Sequence, residues 1–131
     1  MDTTPPPCPT CRSGDPEKDA AAWTRESCRI DDSHFWVYVM RCPACGSRAL
    51  FLFCELIDWN DGDDSQAWLI VPLPPAEEAA ALALGDDESQ VEALLARLPA
   101  GDYLARICPR GMTDKPAWVW KRGSAIILPH D

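Results

Sequence analysis

The 131-residue chain is 47% apolar, carries 21 acidic against 12 basic residues, and has a formal net charge of -9. This length suits one domain able to bury roughly two thirds of its unfolded surface, and no run approaches the ~18 apolar residues that a membrane-spanning helix needs, so the chain reads as soluble. An acidic balance of this size repels phosphate backbones and membrane surfaces and favours a basic protein partner.

Residues 1–7 form a flexible Pro-rich leader, and Met1 to Pro9 lacks the basic and apolar segments of a signal peptide, so a cytoplasmic location is expected. The first cysteine pair, Cys8-Pro-Thr-Cys11, follows directly. A weak alternation from Trp23 to Ile30 predicts a strand, and Asp31 to Ser33 a turn. His34 to Arg41 is rich in β-branched and aromatic residues and predicts a second strand leading into Cys42-Pro-Ala-Cys45-Gly46. Arg48 to Trp59 is apolar on both alternating faces, which predicts a central strand covered on both sides. Asp61-Gly62 signals a hairpin, and Ser65 to Leu73 is its returning strand, stopped by Pro72, Pro74 and Pro75.

Two helices are expected next. Pro75 suits a first helical position, Glu77 and Glu78 complement the positive end of the helix dipole, and Gly85 can close the helix. Asp86 or Asp87 can cap a second helix whose Val91, Leu94, Leu95 and Leu98 form one apolar stripe, ended at Pro99 to Gly101. The strands Asp102–Cys108 and Ala117–Arg122, with the loop Pro109 to Pro116 between them, and a short stretch Ser124–Leu128 complete the chain, extending the sheet or covering its second face. The predicted class is α+β in a single domain, residues 1–131: an antiparallel sheet over residues 8–73, then a helical and β extension over 74–131.

Seven cysteines in a chain without an export signal argue against a disulfide framework, because reducing cytosol keeps thiols free, and direct attention to metal. Two residues between a pair of cysteines let a tight turn aim both sulfurs at one point, and two such pairs complete a tetrahedral site. Proline after the first cysteine preorganises the turn, and glycine after the second permits a positive φ. Cys42-Pro-Ala-Cys45-Gly46 meets each demand; in Cys8-Pro-Thr-Cys11 the glycine position holds Arg12, with Gly14 two residues on. Incidental thiols and a redox dithiol are the alternatives, the second needing only one pair.

These motifs resemble the zinc ribbon, a family of small β-modules in which two Cys-Pro-x-Cys knuckles grip one zinc ion. The resemblance covers residues 8–46 and, more loosely, the strands to residue 73, and implies Cys8, Cys11, Cys42 and Cys45 as ligands of one structural Zn²⁺. The 30 residues separating the pairs exceed the commonest spacing, and the hairpin of residues 22–41 fills them. The whole chain is similar to small bacterial zinc-ribbon proteins of unassigned function, which implies no activity. Four thiolates leave no open coordination position, so the metal is expected to be structural, its free energy belonging to folding. Four thiolates and one Zn²⁺ add -4 and +2, taking the net charge to about -11.

Charge is unevenly placed: residues 1–54, 55–102 and 103–131 balance at -1, -11 and +3. Asp58, Asp61, Asp63 and Asp64 crowd one hairpin. A calcium loop is excluded, since counting from Asp58 puts Asp63 and Leu69 where glycine and glutamate are required. The cluster is either a solvated turn or, with Trp59 and Trp68 as aromatic anchors, a surface that meets a basic partner. The expected function is therefore non-enzymatic protein binding, in one version an inhibitor or immunity-type protein that occludes the basic active site of a toxin. Nucleic-acid association through Arg106, Arg110, Lys115, Lys121 and Arg122 is the alternative, opposed by the overall charge. A thiol-dependent enzyme, using Cys54, Cys108 or a pair such as Cys54 with His34, is the third class, and Cys28 stands alone.

Overall fold

The computed structural model describes residues 7–112 and 116–131; six residues of the expected leader, and residues 113–115 of the loop expected between Pro109 and Pro116, lie outside it. Six antiparallel strands pair in chain order: β1 (Thr24–Asp31), β2 (Phe35–Arg41), β3 (Arg48–Leu56), β4 (Ser65–Pro72), β5 (Gly101–Cys108) and β6 (Val119–Gly123). A short helix α1 (Pro16–Ala21) precedes the sheet, and a 3-10 turn with α2 (Glu78–Leu82) and then α3 (Glu88–Arg97) separate β4 from β5. The α+β class is as expected, and the last two strands extend the sheet from β4 rather than cover its second face.

Strand alternation gives the sheet two different faces. Val37, Val39, Leu50, Leu52, Leu69, Val71 and Ala105 point to one side and meet Ala81, Val91, Leu94 and Leu95 of α2 and α3. Arg29 of β1 ties α2 to this face by donating from Nη1 to the Leu82 and Leu84 carbonyls at 2.8 and 3.2 Å, which would otherwise end the helix unpaired. Tyr38, Met40, Ala49, Ile70 and Leu104 point to the other side and meet Cys11, Trp23 and Cys42. β3, third in the order, is thus covered on both faces as its composition dictates.

Three departures have local causes. α1 begins at an Asp-Pro-Glu start signal, the Asp15 carboxylate accepting from the Glu17 N–H at 3.1 Å, but six residues are too few to show a readable apolar stripe. β3 ends at Leu56 rather than Trp59, because Asp58 draws the chain into a loop. Ser124–Leu128 forms no strand, and its Ala125, Ile127 and Leu128 pack on the helical face. Among the described residues, no helix is long and apolar enough to cross a membrane.

Leu52 is fully buried. Leu52→Ala is expected to lower stability by about 2–5 kcal/mol, and Ile126→Ala, at a position 64% exposed, by under about 0.5 kcal/mol, in urea unfolding followed by tryptophan fluorescence.

Candidate metal centre

The two cysteine pairs occupy different structural settings. The first is a free-standing loop ahead of α1, closed by the Arg12 N–H donating to the Cys8 carbonyl at 2.8 Å. The second is the β2–β3 hairpin turn itself: below the Arg41–Arg48 pair, the Cys42 N–H donates to the Ser47 carbonyl at 2.9 Å and the Gly46 N–H to the Cys42 carbonyl at 2.8 Å. Gly46 has φ +78°, a conformation that only glycine adopts without strain.

These turns bring the sulfurs of Cys8, Cys11, Cys42 and Cys45 within 4.8 Å of one another, and Cys11 Sγ lies 3.9 Å from Cys45 Sγ. A tetrahedral ion with metal–sulfur bonds of about 2.3 Å has sulfur–sulfur edges of about 3.8 Å, so the donor set fits one such ion. Four sulfurs in this arrangement suit a soft or borderline metal. Cys11 and Cys42 are buried in the core of the second face, Cys8 is half-buried and Cys45 is exposed. The backbone N–H groups of Cys11 and Thr10 face the Cys8 sulfur and pull its pKa down to about 6. Burial, then the neighbouring thiols of Cys8, Cys42 and Cys45, push the Cys11 thiol up. A bound cation would offset the cost of ionising the buried Cys11 thiol.

Asp19, fully buried, holds the first loop in place. It accepts from the Ser13 N–H and Oγ, both at 2.6 Å, from the Gly14 N–H at 3.3 Å and from Trp120 Nε1 at 2.9 Å, joining loop, α1 and β6. Burial alone would raise its pKa, but the bonds from Ser13, Trp120 and Gly14 outweigh it and hold the carboxyl below the usual range. Arg12 stacks 4.6 Å over Trp120 and pairs with Asp102 at 3.4 Å, and the Trp118 N–H donates to Glu17 at 2.7 Å. No local pattern marks Asp19, because one of its partners, Trp120, lies 101 residues away.

The acidic hairpin residues are brought together, mostly to serve the loop. Asp58 accepts from the Asn60 and Asp61 N–H groups, both at 3.2 Å, and pairs with Arg110 at 2.7 Å. The Asp61 N–H, then Asn60 and the Arg110 charge, keep the Asp58 carboxyl below its ordinary pKa against a smaller desolvation cost. Asp64 accepts from the Asp58 N–H at 2.8 Å and Asp63 from the Gly111 N–H at 2.6 Å. Asp61 and Trp59 face outward, the Asp61 side chain 77% exposed and Trp59 82%. Trp68 is separated from this tip: it belongs to a row across four strands, Trp36, Phe53, Trp68 and Arg106, in which Arg106 lies 4.6 Å over its ring.

The remaining thiols and histidines stay apart. Burial pushes the Cys54 thiol up to about 11. His34 bonds Glu55 at 3.0 Å and His130 bonds Glu88 at 2.7 Å, and neither is hydrogen-bonded to a cysteine among the described residues. No protein family, curated protein or solved structure gives a significant match to this chain, so likeness to the zinc ribbon rests on the four-cysteine cluster alone.

Cys42→Ser removes a buried ligand and is expected to abolish metal retention in elemental analysis while lowering the unfolding midpoint. Asp19→Asn is expected to cost about 3 kcal/mol through donors left unpaired. Because the folded Asp19 pKa is depressed, its contribution is present above about pH 4 and fades as acid carries the solution through the folded value. Asp19→Asn should therefore show a shallower loss of stability on acidification below about pH 4 than the parent chain.

Proposed function

We propose that the protein is a zinc-stabilised, non-enzymatic binding module whose β3–β4 hairpin engages a basic protein surface. The cysteine cluster would hold one Zn²⁺ as four thiolates, leaving no coordination position for catalytic water. The observation that carries the reading is Trp59, 82% exposed at the tip of a loop braced by Asp58, Asp63 and Asp64. A tryptophan on a rigid support loses little entropy when covered and is the residue type most often found at interface hot spots. Asp61 beside it, 4.0 Å from Arg110 yet 77% exposed, would add charge complementarity to a basic partner. Occlusion of a basic catalytic cleft, as an inhibitor or immunity protein achieves it, is the narrower form of this proposal. A reducing, cytoplasmic setting fits the free state of all seven cysteines.

The tail cations, which would have to contact phosphates in a nucleic-acid reading, are largely engaged within the chain. Arg106 covers Trp68 and donates to the Pro116 carbonyl at 3.0 Å, Arg110 pairs with Asp58, and Arg122 pairs with Asp102 at 3.2 Å. Lys115 lies outside the described residues.

Affinity capture from native lysate compares the parent chain with Trp59→Ala and Asp61→Asn. A basic protein retained by the parent at low salt, weakened at least about tenfold by Trp59→Ala, a loss of about 1.4 kcal/mol or more, is the expected result. Identical retention by all three chains, or retention of nucleic acid instead, contradicts the proposal.

A further inference from the structure

Residues 124–131 have no regular secondary structure, and their apolar side chains join the core on the helical face of the sheet. Ala125 is buried and Ile127 and Leu128 pack into the same core, while Ile126 points outward. The far end is fixed by backbone and side chain together: the Asp131 N–H donates to the Glu55 carbonyl at 3.0 Å, and the Ile57 N–H donates to Asp131 Oδ2 at 2.9 Å. Between these anchors the His130 ring lies flat on Phe35, centroids 4.3 Å apart and planes 7° from parallel.

His130 is bonded at both ring nitrogens. Nδ1 is 2.9 Å from the Asp131 carbonyl oxygen, and Nε2 is 2.7 Å from Glu88 Oε1. A carbonyl and a carboxylate oxygen only accept, so both nitrogens must donate, and an imidazole that donates from both is a cation. The charged groups facing it are acids: Glu88 from α3, Asp32 from the β1–β2 turn, and its neighbour Asp131. Glu55 of β3, which receives the segment's last N–H, has its own carboxylate taken by His34 and Gln66. Burial works against the His130 charge, yet the Asp131 carbonyl and Glu88 outweigh it and raise the pKa above its ordinary value.

Beneath the segment lies Cys54, 2% exposed, its sulfur faced by the Leu128 N–H. Leu128 and Pro129 also line an open apolar cleft of about 260 Å³ together with Cys54, Leu56, Ala67 and Ile107. We propose that residues 124–131 are a pH-operated strap: the His130 imidazolium clamps the segment to Glu88 and Phe35, and loss of its proton releases the segment and opens Cys54 to solvent. A group whose docked pKa is raised contributes fully below its free value of about 6.5 and loses that contribution as pH climbs through the docked value. The strap is therefore closed in mild acid and loosens toward alkaline pH.

The test measures alkylation of Cys54 by N-ethylmaleimide, quantified by peptide mass spectrometry in the metal-loaded full chain carrying Cys28→Ser and Cys108→Ser. The rate in an added His130→Gln change is divided by the rate without it, which cancels the ionisation of the thiol itself. At pH 5.5 the ratio should be severalfold above one, and it should fall toward one by pH 9. A ratio that does not vary with pH would assign His130 a packing role only and overturn the proposal. A proton NMR titration of the unsubstituted chain is independent of any folding defect in the variant. An inflection shared by His130 Hε1 and the Asp131 amide above pH 6.5 supports the strap, and a His130 pKa at or below that value overturns it.

Discussion

The convergence of four sulfurs is the constraint on which the rest of this structure depends. Residues 7–23 form no strand, and α1 at six residues is far too short to be stable alone. What joins this arm to the sheet is the meeting of Cys8 and Cys11 with the β2–β3 turn, supported by Asp19 on Trp120 and by Arg12 on Trp120 and Asp102. Cys11 and Cys42 are also core residues of the second face, packed with Trp23, Met40 and Ile70. A metal bound there would therefore act on the same atoms as burial, and its binding free energy would become folding free energy.

The opposite face depends on ordinary packing. α2 and α3 pack on the β2–β3–β4 surface together with Ala125, Ile127 and Leu128. An antiparallel meander whose successive strands are neighbours assembles mostly from local pairings. Such a sheet leaves its connecting loops free to carry binding residues, since no crossover passes over them. In the β3–β4 loop Asp58, Asp63, Asp64 and Arg110 shape the backbone, Asp61 lies 4.0 Å from Arg110, and Trp59 is exposed.

Much of this architecture is legible in the residues themselves. β2, β3 and β4 follow from β-branched and aromatic runs bounded by turn residues, and the dense apolar character of Arg48–Leu56 foretells a strand covered on both faces. Cys42-Pro-Ala-Cys45-Gly46 is readable down to the positive φ of its glycine. Less is legible where a residue's meaning depends on distant partners. Asp19 looks like one acid in a short polar segment until Trp120 and the Ser13 loop close around it. His130 looks incidental until Phe35 and Glu88 meet it from β2 and α3. The four aspartates of the hairpin read as one patch, yet backbone N–H groups and Arg110 divide them into braces and a single outward carboxylate. Composition records how many charges a loop holds and says nothing of which are already bonded.

A metal ion bound by all four sulfurs would fasten the arm to the sheet. X-ray absorption on the purified, folded protein tests it most directly, because the edge identifies the element and the first shell counts and measures its donors. The account predicts one zinc per chain with four sulfur neighbours at about 2.3 Å. Fully folded protein without metal, or a first shell containing nitrogen or oxygen in place of any of the four sulfurs, would contradict it.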